Sequence, residues 1–230
     1  MIIEVIVQNK EEAMEAERLG ADRLELVSAI EEGGLTPSFG TIKQVLGSVS
    51  IPVQIMIRPH SYHFEYTESD LDTIYDDIKK VLDLGGTGIV FGALNKDKMI
   101  NQEVLRDIIN ISAKLDITFH RAFDEVPSQE KAYHTLLEFK QNVRRILTSG
   151  GEADCEAGKY NLKKLVKLSK KYEGPQILPG AGLSGNNIKM IHQTVGADQY
   201  HFGKAVRKEN SFANGFDEQE FGEIRKFKLM

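Results

Sequence analysis

The feature that most limits what this chain can fold into is a strict alternation of short apolar runs with longer amphipathic ones. Eight runs of strand character lie at 2–7 ("IIEVIV"), 22–28 ("DRLELVS"), 52–58 ("PVQIMIR"), 87–92 ("TGIVFG"), 116–120 ("DITFH"), 143–149 ("VRRILTS"), 175–180 ("PQILPG") and 199–203 ("QYHFG"). Segments of helical period follow them at 10–19, 38–47, 67–84, 101–115, 128–140, 159–173, 184–194 and 217–226. Strands that are always followed by a helix join their neighbours in parallel, through crossovers. Eight such units in 230 residues match a closed (β/α)8 TIM barrel, an α/β fold occupying 1–230 as a single domain. The rival is an open doubly wound sheet, whose strands are covered on both faces and favour unbroken apolar sequence. Glu4, Glu25 and Arg58 interrupt these runs. A barrel interior can carry such groups toward its mouth, so the closed form is preferred.

Helix-end signals agree with the segmentation. Thr36 is a suitable N-cap with Pro37 in the first helical position, and Ser184 offers a cap in "GLSGNNIKMI". Thr67 precedes acidic residues, and Gly85 and Gly86 form a stop. No Ser/Gly/Pro-rich linker divides the chain.

Composition narrows the function classes. With 41% hydrophobic residues the chain can bury a full core, and 29 Lys+Arg against 34 Asp+Glu give a net charge of −5. That balance supplies no basic footprint for nucleic acid. The N-terminal run holds Glu4 and reads as a strand, not as a signal peptide. No apolar run reaches the ~20 residues of a membrane helix. The single cysteine, Cys155, excludes an intrachain disulfide and a multi-cysteine zinc cage. Together these features predict a cytoplasmic protein.

In a barrel, chemistry gathers at the C-terminal ends of the strands. Those ends carry Ser28 above Glu25, then Arg58, His120 with Arg121 and Asp124, Ser149, Gly180 and Gly182, His201 and Gly203. Glu4 and Glu25, on adjacent strands, can share a proton, hold a cation or pair with Arg58. The plainer alternative is a buried Arg–Glu network that sets strand register. His120 is placed to act as a general acid or base near neutral pH. Asp124 either orients it or pairs with Arg121; the duller reading is a contact that pins a loop to the rim.

The glycines around strands seven and eight allow close backbone approach to a phosphate or another anion, or simply make tight turns. His60 and His63 have a spacing found in metal sites, although loop histidines are more often solvated. Cys155, in "GGEADCEAG", is expected to be exposed near the mouth. Its acidic neighbours Glu152, Asp154 and Glu156 disfavour a thiolate. These groups fit a barrel enzyme in which His120 and a carboxylate such as Glu25 work on a small anionic substrate. A ligand-binding barrel without turnover is the second alternative.

Seven segments in fixed order carry a resemblance across nearly the whole chain: "GADRLELVS", "GGLTPSFG", "MIRPH" with "FEY", "GIVFGALNKD", "TFHRAFD", "RILTSGG" and "GAGLSGNN". On them the sequence resembles the CutC family of copper-homeostasis proteins. The resemblance implies a (β/α)8 barrel, a cytoplasmic location and cuprous copper (Cu+) as ligand. It implies copper-ligating cysteines in the first two strands, whose positions here match Val5 and Val27. Valine cannot ligate a metal. Any copper contact in this chain would therefore fall to Cys155, methionine or histidine, His60 and His63 included. "RPHSYHF" also departs from the family pattern of a basic residue, glycines and an acidic residue before Phe64. A homo-oligomer is compatible with the fold, but no interface is legible in the sequence.

Overall fold

The computed structural model describes residues 1–228. Eight strands alternate with eight helices: β1 Ile2–Val7, α1 Lys10–Leu19, β2 Arg23–Leu26, α2 Phe39–Leu46, β3 Val53–Met56, α3 Glu68–Asp83, β4 Gly88–Phe91 and α4 Gln102–Ile111. They continue as β5 Asp116–Phe119, α5 Gln129–Leu137, β6 Val143–Thr148, α6 Lys159–Tyr172, β7 Gln176–Pro179, α7 Ile188–Val195, β8 Gln199–Phe202 and α8 Glu218–Lys228. All sheet pairings are parallel, in the order β7-β6-β5-β4-β3-β2-β1-β8. A parallel bridge from Gly180 to His201 joins the two end strands and closes the barrel.

Side-chain alternation sorts each strand into two environments. In β1, Ile3, Val5 and Val7 belong to the large core between sheet and helices, whereas Ile6 belongs to a small cluster with Val27, Met56 and Val90. Glu4 lies on the Ile6 side, in the barrel interior. Register then decides its company: Glu4 stands beside Arg23 of β2 and beside His201 of β8. Glu4, Arg23 and His201 are thus interior groups in register, with Glu25 one layer above beside Ile6.

Helix ends follow local chemistry, with two corrections. Thr67 caps α3 in a full capping box with Asp70, and Gly85 follows the helix at φ 82°, as expected. Thr36 does not cap α2. Its hydroxyl accepts the Arg58 N–H at 2.9 Å, and Ser38 caps a helix that starts after Pro37. The Ser184 hydroxyl is not the cap of α7 either. The Ser184 carbonyl accepts from Ile188 N at 3.0 Å and Asn187 occupies the cap position, so the helix begins four residues later than the sequence suggested. In both cases loop hydrogen bonds outcompete an early helix start. Among the described residues no helix is long and apolar enough to cross a membrane.

Candidate functional site

A cavity of about 500 Å³ opens at the C-terminal end of the barrel. Its apolar wall includes Ile6, Ile30, Met56, Phe64, Leu147 and Phe212. Its polar groups are Glu25, Arg58, His120, Arg121, His201 and Lys204, and the backbone of Gly180, Gly182 and Gly203 completes the rim. Of the lining side chains one is acidic, and three are permanent cations.

The floor is a charge network that spans the barrel interior. Arg23 donates through Nε to Glu4 Oε2 and through Nη2 to Gln199 Oε1, the latter at 2.7 Å. The other Glu4 oxygen meets His201 Nδ1 at 2.7 Å, and His201 Nε2 lies 3.7 Å from Glu25 Oε2. Burial alone would raise the Glu4 pKa, but Arg23 and His201 outweigh it and hold the carboxyl at about 2. Glu25 has no arginine bonded to it. Burial, with Glu4 adding repulsion, pushes it up to about 7 against the opposing pull of His201 and Arg23. Burial would lower the His201 pKa, yet Glu25 and Glu4 together raise it. Glu4 therefore pairs with Arg23 and not with Arg58, because β2 is its neighbour and β3 is one strand further away.

His120 is 3% exposed. Its Nδ1 accepts the Ala122 N–H at 3.2 Å, so the ring proton sits on Nε2, which has no protein partner. Burial, reinforced by the nearby Arg58 charge, drops its pKa to about 3. The ring is a neutral donor at physiological pH, not a group that titrates near 7 as its type suggested. It packs 4.8 Å from Phe64, whose ring also lies 4.9 Å under the Arg58 guanidinium. Gly92 is required beneath it, since a Cβ there would come within 2.6 Å of Nδ1.

Arg58 is largely committed to the loops. Nη1 approaches the Glu32, Gly33 and Gly34 carbonyls at 3.3–3.4 Å, and Nη2 donates to Ser61 O at 3.1 Å. Its Nε remains without a partner. Ala181, at φ 106°, holds a conformation that L residues rarely adopt. Such a conformation costs on the order of 1–3 kcal/mol. The Ala181 carbonyl accepts the Cys155 N–H at 3.1 Å, which helps to hold the rim in place.

Three expected site residues belong to the scaffold instead. The Ser28 hydroxyl donates to Thr36 O at 2.9 Å and tucks in the β2 loop. Asp124 binds Arg121 Nε at 2.8 Å, the Thr148 hydroxyl, and Ser149 through N at 3.2 Å and Oγ at 3.1 Å. Neither Asp124 nor Ser149 lines the cavity, and Asp124 does not orient His120. It ties the β5 loop to the β6 loop. Cys155 is fully buried, not exposed, and burial pushes its thiol up to about 12. His60 stacks on Tyr62 and sits 3.6 Å from Asp70, with His63 edge-on to its ring. Lys204, Phe64 and Phe212 were missed, because loop residues that reach a cavity follow no periodicity.

The CutC family model matches residues 1–206. The chain belongs to the CutC family. It is 38% identical over 200 residues to the human copper homeostasis protein cutC homolog, covering 87% of this chain and 72% of that one. Identity to a CutC family protein of Yersinia pseudotuberculosis is 41% over 202 residues, with 84% and 78% covered. The crystal structure of CutC from Streptococcus agalactiae is 28% identical, covers 88% of this chain and 98% of its own, and superposes with a TM-score of 0.80. Phosphoribosyl anthranilate isomerase of Thermotoga maritima shares the fold alone, at 12% identity and TM-score 0.67 over the whole of both chains.

Of the thiolate and thioether ligands that a cuprous ion favours, the cavity lining supplies the Met56 thioether and no thiolate. Cys155 stays protonated within the core. Val5 packs between sheet and helices while Val27 faces the barrel interior, so groups at these positions lie on opposite faces of the sheet. Among the described residues the one group of three or more His, Cys, Asp or Glu side chains placed to hold a metal ion is Glu4, Glu25 and His201, within 4.8 Å of one another. Its donors are oxygen and imidazole, and Arg23 and His201 already take both Glu4 oxygens.

Proposed function

We propose that this CutC-family barrel serves copper homeostasis, the role for which its human and mouse relatives are named, by binding a small organic anion at its mouth. It does not do so by holding cuprous copper. The observation that carries this reading is that Arg58, Lys204 and Arg121, the last paired with Asp124, line one largely apolar cavity of about 500 Å³. Concave sites with apolar walls and a few convergent polar groups are the usual form of small-molecule sites. Cations around such a cavity select for negative charge.

Thermal unfolding with a panel of small carboxylates and phosphates, at constant ionic strength, tests this directly. A ligand at 100 times its Kd stabilises the folded state by about 2.7 kcal/mol. At least one member should raise Tm, and the rim double variant Arg121→Ala/Lys204→Ala should lose most of that rise. A panel without effect on the wild type would refute anion binding at the mouth.

A further inference from the structure

Three residues that line the mouth cavity each carry one buried polar atom that no protein group satisfies: Glu25 Oε1, His120 Nε2 and Arg58 Nε. Buried polar atoms are nearly always paired, and each exception calls for an explanation, a catalytic role among them; eight other such atoms of the described residues lie outside the cavity. The three atoms are chemically complementary. Glu25 Oε1 is a proton acceptor, His120 Nε2 is a neutral donor, and Arg58 Nε is a charged donor. Two of them are fixed by the other end of their own side chain: His120 Nδ1 takes the Ala122 amide and the Arg58 terminal nitrogens hold loop carbonyls, while Glu25 Oε2 lies 3.7 Å from His201 Nε2.

We propose that this constellation catalyses proton transfer at the carbon next to a carbonyl group in a small anionic substrate, with Glu25 as the base and His120 Nε2–H as the donor to the carbonyl oxygen. Glu25 removes the proton from that carbon. The C–H electron pair becomes a carbon–carbon double bond, and the carbonyl π pair moves to the oxygen, where His120 and Arg58 stabilise the charge. The proton then returns from Glu25 to the same carbon or, where that carbon bears a hydroxyl group, to the former carbonyl carbon while the hydroxyl proton passes to the former carbonyl oxygen and a new carbonyl forms. The net reaction is an isomerisation or racemisation and needs no oxidant, reductant or cofactor. A carboxyl that titrates near neutrality is matched to this task, and a histidine that stays neutral can hydrogen-bond the enolate oxygen without protonating it. This proposal rests on the anion-binding reading above.

The test uses 2-oxobutyrate, hydroxypyruvate and dihydroxyacetone phosphate as probes in D2O. Proton NMR follows loss of the signal from the carbon next to the carbonyl, and Tm shifts report binding of the same probes. The expected result is that at least one binding probe exchanges faster with protein than in buffer. Glu25→Gln should abolish the exchange while keeping the Tm shift. His120→Ala should slow exchange by ~10²–10³, the usual cost of one oxyanion donor, and His120→Gln should recover part of it. Binding without exchange, or exchange that survives Glu25→Gln, would overturn the proposal. Absence of any Tm shift would overturn the anion-binding reading, and this proposal with it.

Discussion

Replacing Arg23 by methionine isolates the interaction on which the barrel interior depends. Glu4 is fully buried and Arg23 is 5% exposed, and the arginine bonds both Glu4 and Gln199. Methionine fills similar volume but leaves the Glu4 charge with His201 alone. Removing one partner of a buried ion pair typically costs about 3–5 kcal/mol. For a chain of this size that corresponds to roughly 6–20 °C in Tm. The double variant Glu4→Leu/Arg23→Met removes both charges and should regain most of the loss, because a buried pair replaced by apolar groups is often neutral. The loss in the single variant should also shrink at low pH. In the wild type the depressed Glu4 pKa contributes stability above the unfolded value of 4.5, which fades as pH falls toward 2. Without Arg23, burial dominates and Glu4 takes up a proton more readily. Urea denaturation of the three proteins between pH 4 and pH 8 measures this. A single variant within 1 kcal/mol of wild type at pH 7 (roughly 2–4 °C) would refute the view that this pair is an energetic keystone.

Glu25 acts in the opposite sense. Its folded pKa of about 7 lies above the unfolded value, so it contributes stability at low pH that is lost as pH rises from 4.5 through 7. Glu25→Gln should therefore gain stability relative to wild type across that window in denaturant melts, and a constant difference would contradict the assignment. Asp124→Asn should cost about 1.5–3 kcal/mol, the range for hydrogen bonds to a charged group, because six donors, the Gly151 N–H among them, lose their anion. Hydrogen exchange should then rise at Ser149 and Gly151 and leave β1 unchanged. Cys155 should resist a thiol reagent in the native protein and react only on unfolding; rapid native labelling would show that its burial is wrongly assigned.

Strand and helix periodicity made the barrel legible, and the interruptions at Glu4 and Glu25 marked the interior correctly. Partners across strands were less accessible. Which arginine meets Glu4 depends on register, and a sequence contains no register until the sheet is closed. Arg23, at the start of a predicted strand, drew no attention for that reason. Residue type misled at His120, whose usual pKa suggests titration near neutrality, because burial and the Arg58 charge are properties of the folded chain. Cys155 looked exposed among Glu152, Asp154 and Glu156 because local polarity does not reveal that one side chain of a loop turns inward. Asp124 and Ser149 were read as parts of the site; they hold the loops that shape it.

Under the proposed function the mouth takes an anion and not cuprous copper. Anaerobic competition between the reduced protein and a strong chromogenic chelator for cuprous ion tests it most directly. The expected result is that the chelator takes all of the copper at every protein concentration. One equivalent withheld by the protein, and lost again in Cys155→Ser or in His120→Ala, would contradict it.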